Sequence, residues 1–143
     1  MVVIMRVALV SCVKSKRTTA APAKDLYISA LFQGLRRYAE VNADAWYILS
    51  AKHGLLNPEQ IVEPYEKTLN KMGSRQRVEW AEEVQRRLLR VLPEGAGVIV
   101  LAGQRYREHL LPVLRDRGFS VSIPLEGLSF GRQLRALNSI LND

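Results

Sequence analysis

The chain predicts an α/β fold: a three-layer sandwich around a mostly parallel, Rossmann-like sheet of about four strands. Three observations predict it. Four short apolar runs rich in β-branched residues recur along the sequence, and stretches with apolar residues at helical spacing separate them. Strands joined by helices of this length pair in parallel with right-handed crossovers, leaving helices on both faces. Each run also ends in a loop dense in polar groups, so all four loops share one carboxyl edge, where open α/β folds bind ligands.

The first run, residues 7–10, delivers Ser11-Cys12-Val13-Lys14-Ser15-Lys16. A helix follows over about 25–40, with Asp25 as its amino cap and Ile28, Leu31, Phe32, Leu35 and Ala39 at helical spacing. The second run, 46–49, delivers Ser50-Ala51-Lys52-His53-Gly54. Residues 55–73 are too rich in Pro, Asn and charge to be a tight connection. A connection of that length reads as a lid, a binding loop or short irregular helices; Tyr65 and Glu66 reach back over the edge, or the segment only packs.

Ser74 is placed to cap a second helix through about residue 92, with Val78, Ala81, Val84, Leu88 and Leu92 on its buried stripe. Pro93 to Gly97 breaks it before the third run, 98–101, which delivers Ala102-Gly103-Gln104-Arg105-Tyr106. A third helix over 105–117 contains Pro112, which predicts a kink or two short pieces. The fourth run, 121–123, delivers Pro124-Leu125-Glu126-Gly127. A last helix over 130–141 then sets Leu134, Leu137 and Leu141 on one face.

With 143 residues, 48% of them apolar and 24% charged, the chain is expected to form a single α/β domain over 1–143 with a substantial core. Its apolar start lacks a basic leader and a small-residue cleavage site, so it reads as the first strand. No apolar stretch approaches the roughly 20 residues of a membrane span. The single cysteine excludes an internal disulfide and fits a reducing cytoplasm. The net charge of +7 comes mainly from arginine, fifteen against six lysines. Arginine's planar fork suits phosphate, yet the residues fall in pairs spread along the chain, so solvated helix faces and a nucleic-acid surface both remain open.

The four loops carry the candidate chemistry. In the first, two hydroxyls, two ammonium groups and successive N–H groups could cradle an anion, although the glycines of a Walker loop are missing. Cys12 is either a thiol activated by Lys14 and Lys16 or a small core residue. His53, one of only two histidines, is either a general acid or base beside Lys52 or a cap for backbone groups, and Gly54 permits an unusual turn. His109 reads as a surface residue. Gly103 opens a helix whose first N–H groups face the edge, while Tyr106 stacks on a base or packs in the core. Glu126 is the carboxylate that the fourth loop places at the rim, and Glu66 is a second candidate. Two scattered histidines and one cysteine make no metal-ligand set, so neither metal nor cofactor is expected.

Taken together, Ser-Cys-x-Lys-x-Lys, Leu-Ser-Ala-Lys-His-Gly-Leu-Leu, Pro-Tyr-Glu, Leu-Ala-Gly-x-x-Tyr and Pro-Leu-Glu-Gly-Leu resemble a bacterial and phage domain-of-unknown-function family over residues 11–138. That family looks distantly related to the central domain of archaeosine synthase and to the peroxide-stress YaaA proteins. The resemblance implies an α/β sandwich near the uracil-DNA-glycosylase-like group and an association with modified bases or damaged nucleic acid. Carried over by position, it implies Ser11, Cys12, Lys14, Lys16, Ser50, Lys52, His53, Gly54, Tyr65, Glu66, Gly103, Tyr106 and Glu126 as site residues.

The expected function is that of an enzyme processing a nucleotide or nucleic acid, cleaving an N-glycosidic bond of a modified or damaged base. Such a reaction needs a carboxylate to support charge on the sugar or to position water, and an acid for the departing base. Glu126 or Glu66 would take the first role and His53 the second, with Lys14, Lys16 and Lys52 holding phosphate. The alternatives are a non-catalytic module binding a nucleotide, nucleic acid or other phosphate-bearing ligand, and a small structural partner of an acidic protein. No membrane partner is expected.

Overall fold

The computed structural model describes residues 4–11 and 16–142. In chain order the elements are β1 (Arg6–Ser11), β2 (Ala21–Pro22), α1 (Ala23–Leu26), α2 (Ala30–Asn42), β3 (Ala45–Ser50), β4 (Gly54–Leu56) and β5 (Ile61–Val62). A single 3-10 turn, Leu69–Lys71, leads to α3 (Ser74–Val91), β6 (Gly97–Leu101), α4 (Gln104–Arg107), α5 (Leu111–Asp116), β7 (Ser120–Ser122) and α6 (Phe130–Asn142).

Five strands form the main sheet in the order β4-β3-β1-β6-β7. The expected four, β1, β3, β6 and β7, are parallel. Strand β1 lies at the centre and is buried from Val7 to Ser11, which explains why it reads as a continuous apolar run. The fifth strand, β4, was not anticipated. The chain reverses over residues 51–53, and Gly54, at a φ of 72°, lets it return antiparallel, setting Leu55 opposite Leu49 and Leu56 opposite Ile48. A second two-stranded ladder joins β2 to β5.

From β1 the chain moves to β3 on one side and then crosses to β6 on the other. Right-handed crossovers in opposite directions put the connecting helices on opposite faces, giving three layers. On one face α2 meets α6 where Gly34 abuts Leu137; a Cβ at Gly34 would lie 3.0 Å from Leu137 Cδ1. On the other face α3 packs edge-on against α4 through Trp80 and Tyr106, with ring centroids 5.6 Å apart.

Two helix boundaries differ from expectation, and the division that Pro112 predicts in the third helix is present. The helix over 25–40 is two helices, because Tyr27 is extended and pairs with Lys16 in an isolated antiparallel bridge. Ser29, not Asp25, caps the longer one, accepting the Phe32 N–H at 3.1 Å. Asp25 pairs with Arg36 at 2.8 Å instead, and Ile28 is exposed. Gly73, not Ser74, sits at the cap position of α3, and its N–H donates to Gln76 Oε1. The third helix is two short pieces, with Pro112 in the first turn of α5, where its missing N–H breaks no bond.

Candidate functional site

The parallel registers align the loops: Ser11 lies opposite Leu49 and Val10 opposite Leu101. Ser11, Ser50, Ala102 and Ile123 therefore stand at one carboxyl edge. Two neighbouring features occupy it.

On the β3 side is a chain of hydroxyls. Tyr65 Oη lies 2.6 Å from Ser50 Oγ and 2.6 Å from Tyr27 Oη, and all three residues are buried. Tyr65 is brought there by the β2–β5 ladder, by Ala23 and Lys24 N–H bonds to Gln60 and Pro58 carbonyls, and by the Lys24–Glu59 ion pair. The long segment thus supplies a buried tyrosine, whereas the adjacent Glu66 is exposed.

Ser50 Oγ also accepts the His53 N–H at 3.1 Å, and the Trp80 indole donates to the Ser50 carbonyl at 2.8 Å. Two ammonium groups lie over the Tyr65 ring, Lys16 at 4.7 Å and Lys52 at 5.9 Å from its centroid. The His53 imidazole meets the same ring edge-on at 5.3 Å. Its Nε2 is enclosed without a hydrogen-bond partner among the described residues. Partial burial and the positive charges of Lys52 and Arg87 hold its pKa below the ordinary 6.5, so the ring is neutral at pH 7. Arg87 also donates to the His53 carbonyl at 2.7 Å, fixing the turn.

On the β6 side is a cavity of about 390 Å³. It opens where the chain changes direction across the sheet, between Ser11 at the end of β1 and Val100 and Leu101 at the end of β6. Leu31 and Leu35 of α2, Ile123, Leu125 and Leu128 give it an apolar floor. Asn70, Gln104, Arg105, Arg107 and Gln133 give it a polar rim that holds no carboxylate among the described residues. Arg107 is already committed, donating to the Ala102 carbonyl at 2.9 Å and to Gln104 Oε1 at 3.1 Å.

Among the sequence candidates, Ser11, Gly103 and Tyr106 line this cavity, with Tyr106 also packed on Trp80. Lys16, Ser50, Lys52, His53 and Tyr65 form the neighbouring cluster, and Gly54 begins β4 behind it. Glu126 is exposed in the turn after β7 and does not line the cavity, although Leu125 and Gly127 on either side of it do. Cys12 and Lys14 lie outside the described residues. Helix α4 is one turn long, so it offers a weaker dipole than a full helix opening at Gly103. Among the described residues no group of three His, Cys, Asp or Glu side chains converges to hold a metal ion, and no helix is long and apolar enough to cross a membrane.

A family model described as a family of unknown function, DUF6884, matches residues 7–139. The chain belongs to the DUF6884 family. It is also similar to the uncharacterized protein YfjM of Bacillus subtilis (strain 168), 30% identical over an alignment of 147 positions, with 96% of each chain covered. The match to DUF6884 spans both the hydroxyl cluster and the cavity.

Sequence reasoning missed Asn70, Gln104, Arg105, Gln133 and Trp80. Gln104 and Arg105 stand inside a loop already singled out, so the signal for them was present. Gln133, one turn into α6, and Trp80, on an amphipathic stripe, carry no sequence pattern that separates them from ordinary helix residues.

Proposed function

We propose that this DUF6884 chain processes a nucleotide or nucleic acid, cleaving the N-glycosidic bond of a base bound in the cavity at the end of β1 and β6. The observation that carries this reading is the cavity itself. Its volume of about 390 Å³, apolar floor and amide- and arginine-bearing rim suit a flat heterocycle with polar edges. The Lys16 and Lys52 ammonium groups beside it supply charge for a phosphate. In cleavage the electrons of the C1′–N bond leave with the base, water adds to C1′, and the base gains a proton. A neutral His53 suits the acceptance of a proton from that water better than donation to the base. Glu126 and Glu66 are the carboxylates available to support charge on the sugar. Distant kinship to the archaeosine synthase central domain and the YaaA proteins belongs to the same proposal.

A second reading, a binding module without turnover, draws support from the exposure of both carboxylates and their absence from the cavity lining. The experiment measures base release from nucleosides, nucleotides and single- and double-stranded nucleic acid, alongside binding. Gly103→Phe is the blocking variant. Among the described residues nothing lies within 4 Å of a Cβ at Gly103, and its φ is −70°, so the ring projects without backbone strain at the cavity wall. Base release that is lost in Gly103→Phe, His53→Ala and Glu126→Gln, with binding kept in the last two, supports the enzyme. Binding with no turnover of any substrate supports the module, and no binding by the parent chain overturns both.

A further inference from the structure

We infer that the ligand at this edge is a single-stranded polynucleotide, held by its backbone at two separate cationic points on either side of Ser11. This rests on the reading of the cavity as a base site and names the substrate class for it. The first point is formed by Lys16 and Lys52 around Tyr65. The second is the arginine rim of the cavity.

At the second point Arg107 is held by the Ala102 carbonyl, whereas Arg105 is half exposed and its ion-pair contact among the described residues is a long one, to Glu108 at 4.0 Å. Its planar fork therefore keeps donors for a phosphate. At the first point Lys52 is exposed and has no carboxylate within ion-pair range among the described residues.

The two points stand on opposite sides of the central strand. Lys52 follows β3 and Arg105 follows β6, and these strands flank β1. With neighbouring strands about 4.8 Å apart, their ends are separated by about 10 Å. The side chains turn to different partners, Lys52 to Tyr65 and Arg105 to Glu108. A mononucleotide presents phosphate on one side of its base only, and would leave one point facing solvent. A strand presents a phosphate on each side of the nucleotide whose base enters the cavity. Duplex is disfavoured because a base can enter a recess at a sheet edge only when it is out of the stack. The aromatic rings of Tyr65 and Tyr106 are buried, so they shape the site and leave the exposed Lys52 and Arg105 to meet the strand.

The test measures binding of a short labelled single-stranded DNA, its RNA counterpart, the duplex and a mononucleotide, between about 50 and 200 mM salt. The expected result is that a single strand binds at least tenfold tighter than the mononucleotide and tighter than the duplex, with the DNA and RNA arms identifying which strand is taken. Lys52→Ala and Arg105→Ala each lower the salt slope by about 0.7, the loss of one phosphate contact on a single strand. Arg90→Ala removes the same charge from the exposed carboxyl end of α3 and leaves the slope unchanged. A mononucleotide that binds as tightly as the strand, a duplex that binds tighter, or a slope unmoved by Arg105→Ala overturns the inference while the base site stands. Failure of every probe to bind overturns both.

Discussion

The Tyr65 hydroxyl oxygen lies 2.6 Å from Ser50 Oγ, tying a residue in the middle of a long connection to the last residue of a central strand. The same oxygen lies 2.6 Å from Tyr27 Oη, so three elements meet at one buried atom. Tyr65→Phe keeps the ring and removes one hydrogen-bond partner from each of two buried hydroxyl groups. The expected cost is about 1–3 kcal/mol, the range for losing one partner of a buried hydrogen bond. Urea unfolding of Tyr65→Phe, Ser50→Ala and the double variant checks it. The double variant should cost less than the sum of the singles, because both singles remove the same Tyr65–Ser50 hydrogen bond.

The position of His53 predicts a pH dependence of stability. Its folded pKa lies below the 6.5 of a free histidine, through burial first and then Lys52 and Arg87. Between the two values the unfolded chain binds the proton and the native state does not, so stability rises with pH. The contribution is fully present above about pH 6.5 and is lost as pH falls from there through the folded pKa. His53→Gln should flatten that part of the curve, which denaturant midpoints between pH 5 and 7.5 would read. An equally steep fall in His53→Gln would remove His53 as its source.

Much of this arrangement was legible in the sequence and part was not. Four apolar runs separated by helical periodicity were enough for the parallel sheet. Residues 7–10 of β1 and 98–101 of β6 are buried on both faces and so are apolar throughout, whereas the edge strand β7 is exposed at Ser120 and Ser122 and was marked by Val121 and Ile123. Ser11, Gly103 and Tyr106 could be placed at the edge for the same reason: they follow strands whose direction the crossovers fix. Strand β4 escaped because Gly54-Leu55-Leu56 is too short to show a period, and only its pairing with β3 makes it a strand. The break at Tyr27 escaped because its extended backbone is set by Lys16, eleven residues earlier, rather than by a local breaker. Glu66 and Tyr65 were equivalent as letters, and the β2–β5 ladder decides which of them is buried.

Trp80 should report on the cavity. Its indole N–H donates to the Ser50 carbonyl at 2.8 Å while its ring packs edge-on against Tyr106, a cavity-lining residue. A ligand displacing Tyr106 therefore changes the surroundings of one buried indole, while Trp46 lies on β3 outside the lining. Nucleotide or strand binding should shift emission in Trp46→Phe and leave Trp80→Phe nearly silent. The reverse pattern would put the ligand away from the β6 end of the sheet.

The last prediction concerns how the cavity wall is held. Arg77 of α3 donates to Glu108 Oε1 at 2.9 Å and to the Met72 carbonyl, which ties α3 to the segment after α4 and to the chain following the 3-10 turn. Side-chain exposures of 13% and 20% make this pair far less screened than the surface pair Arg75–Glu79. Arg77→Ala leaves the mostly buried Glu108 carboxylate with, among the described residues, the 4.0 Å approach of Arg105 and the neighbouring His109 as its basic partners. A loss of about 1–3 kcal/mol is expected, against less than about 1 kcal/mol for Arg75→Ala. Because Asn70 and Arg105 line the cavity on either side of this tie, Arg77→Ala should also weaken ligand binding without touching the ligand. Unfolding and binding measured on both variants check it, and an Arg77→Ala chain as stable as Arg75→Ala would show that the tie contributes little to holding the wall.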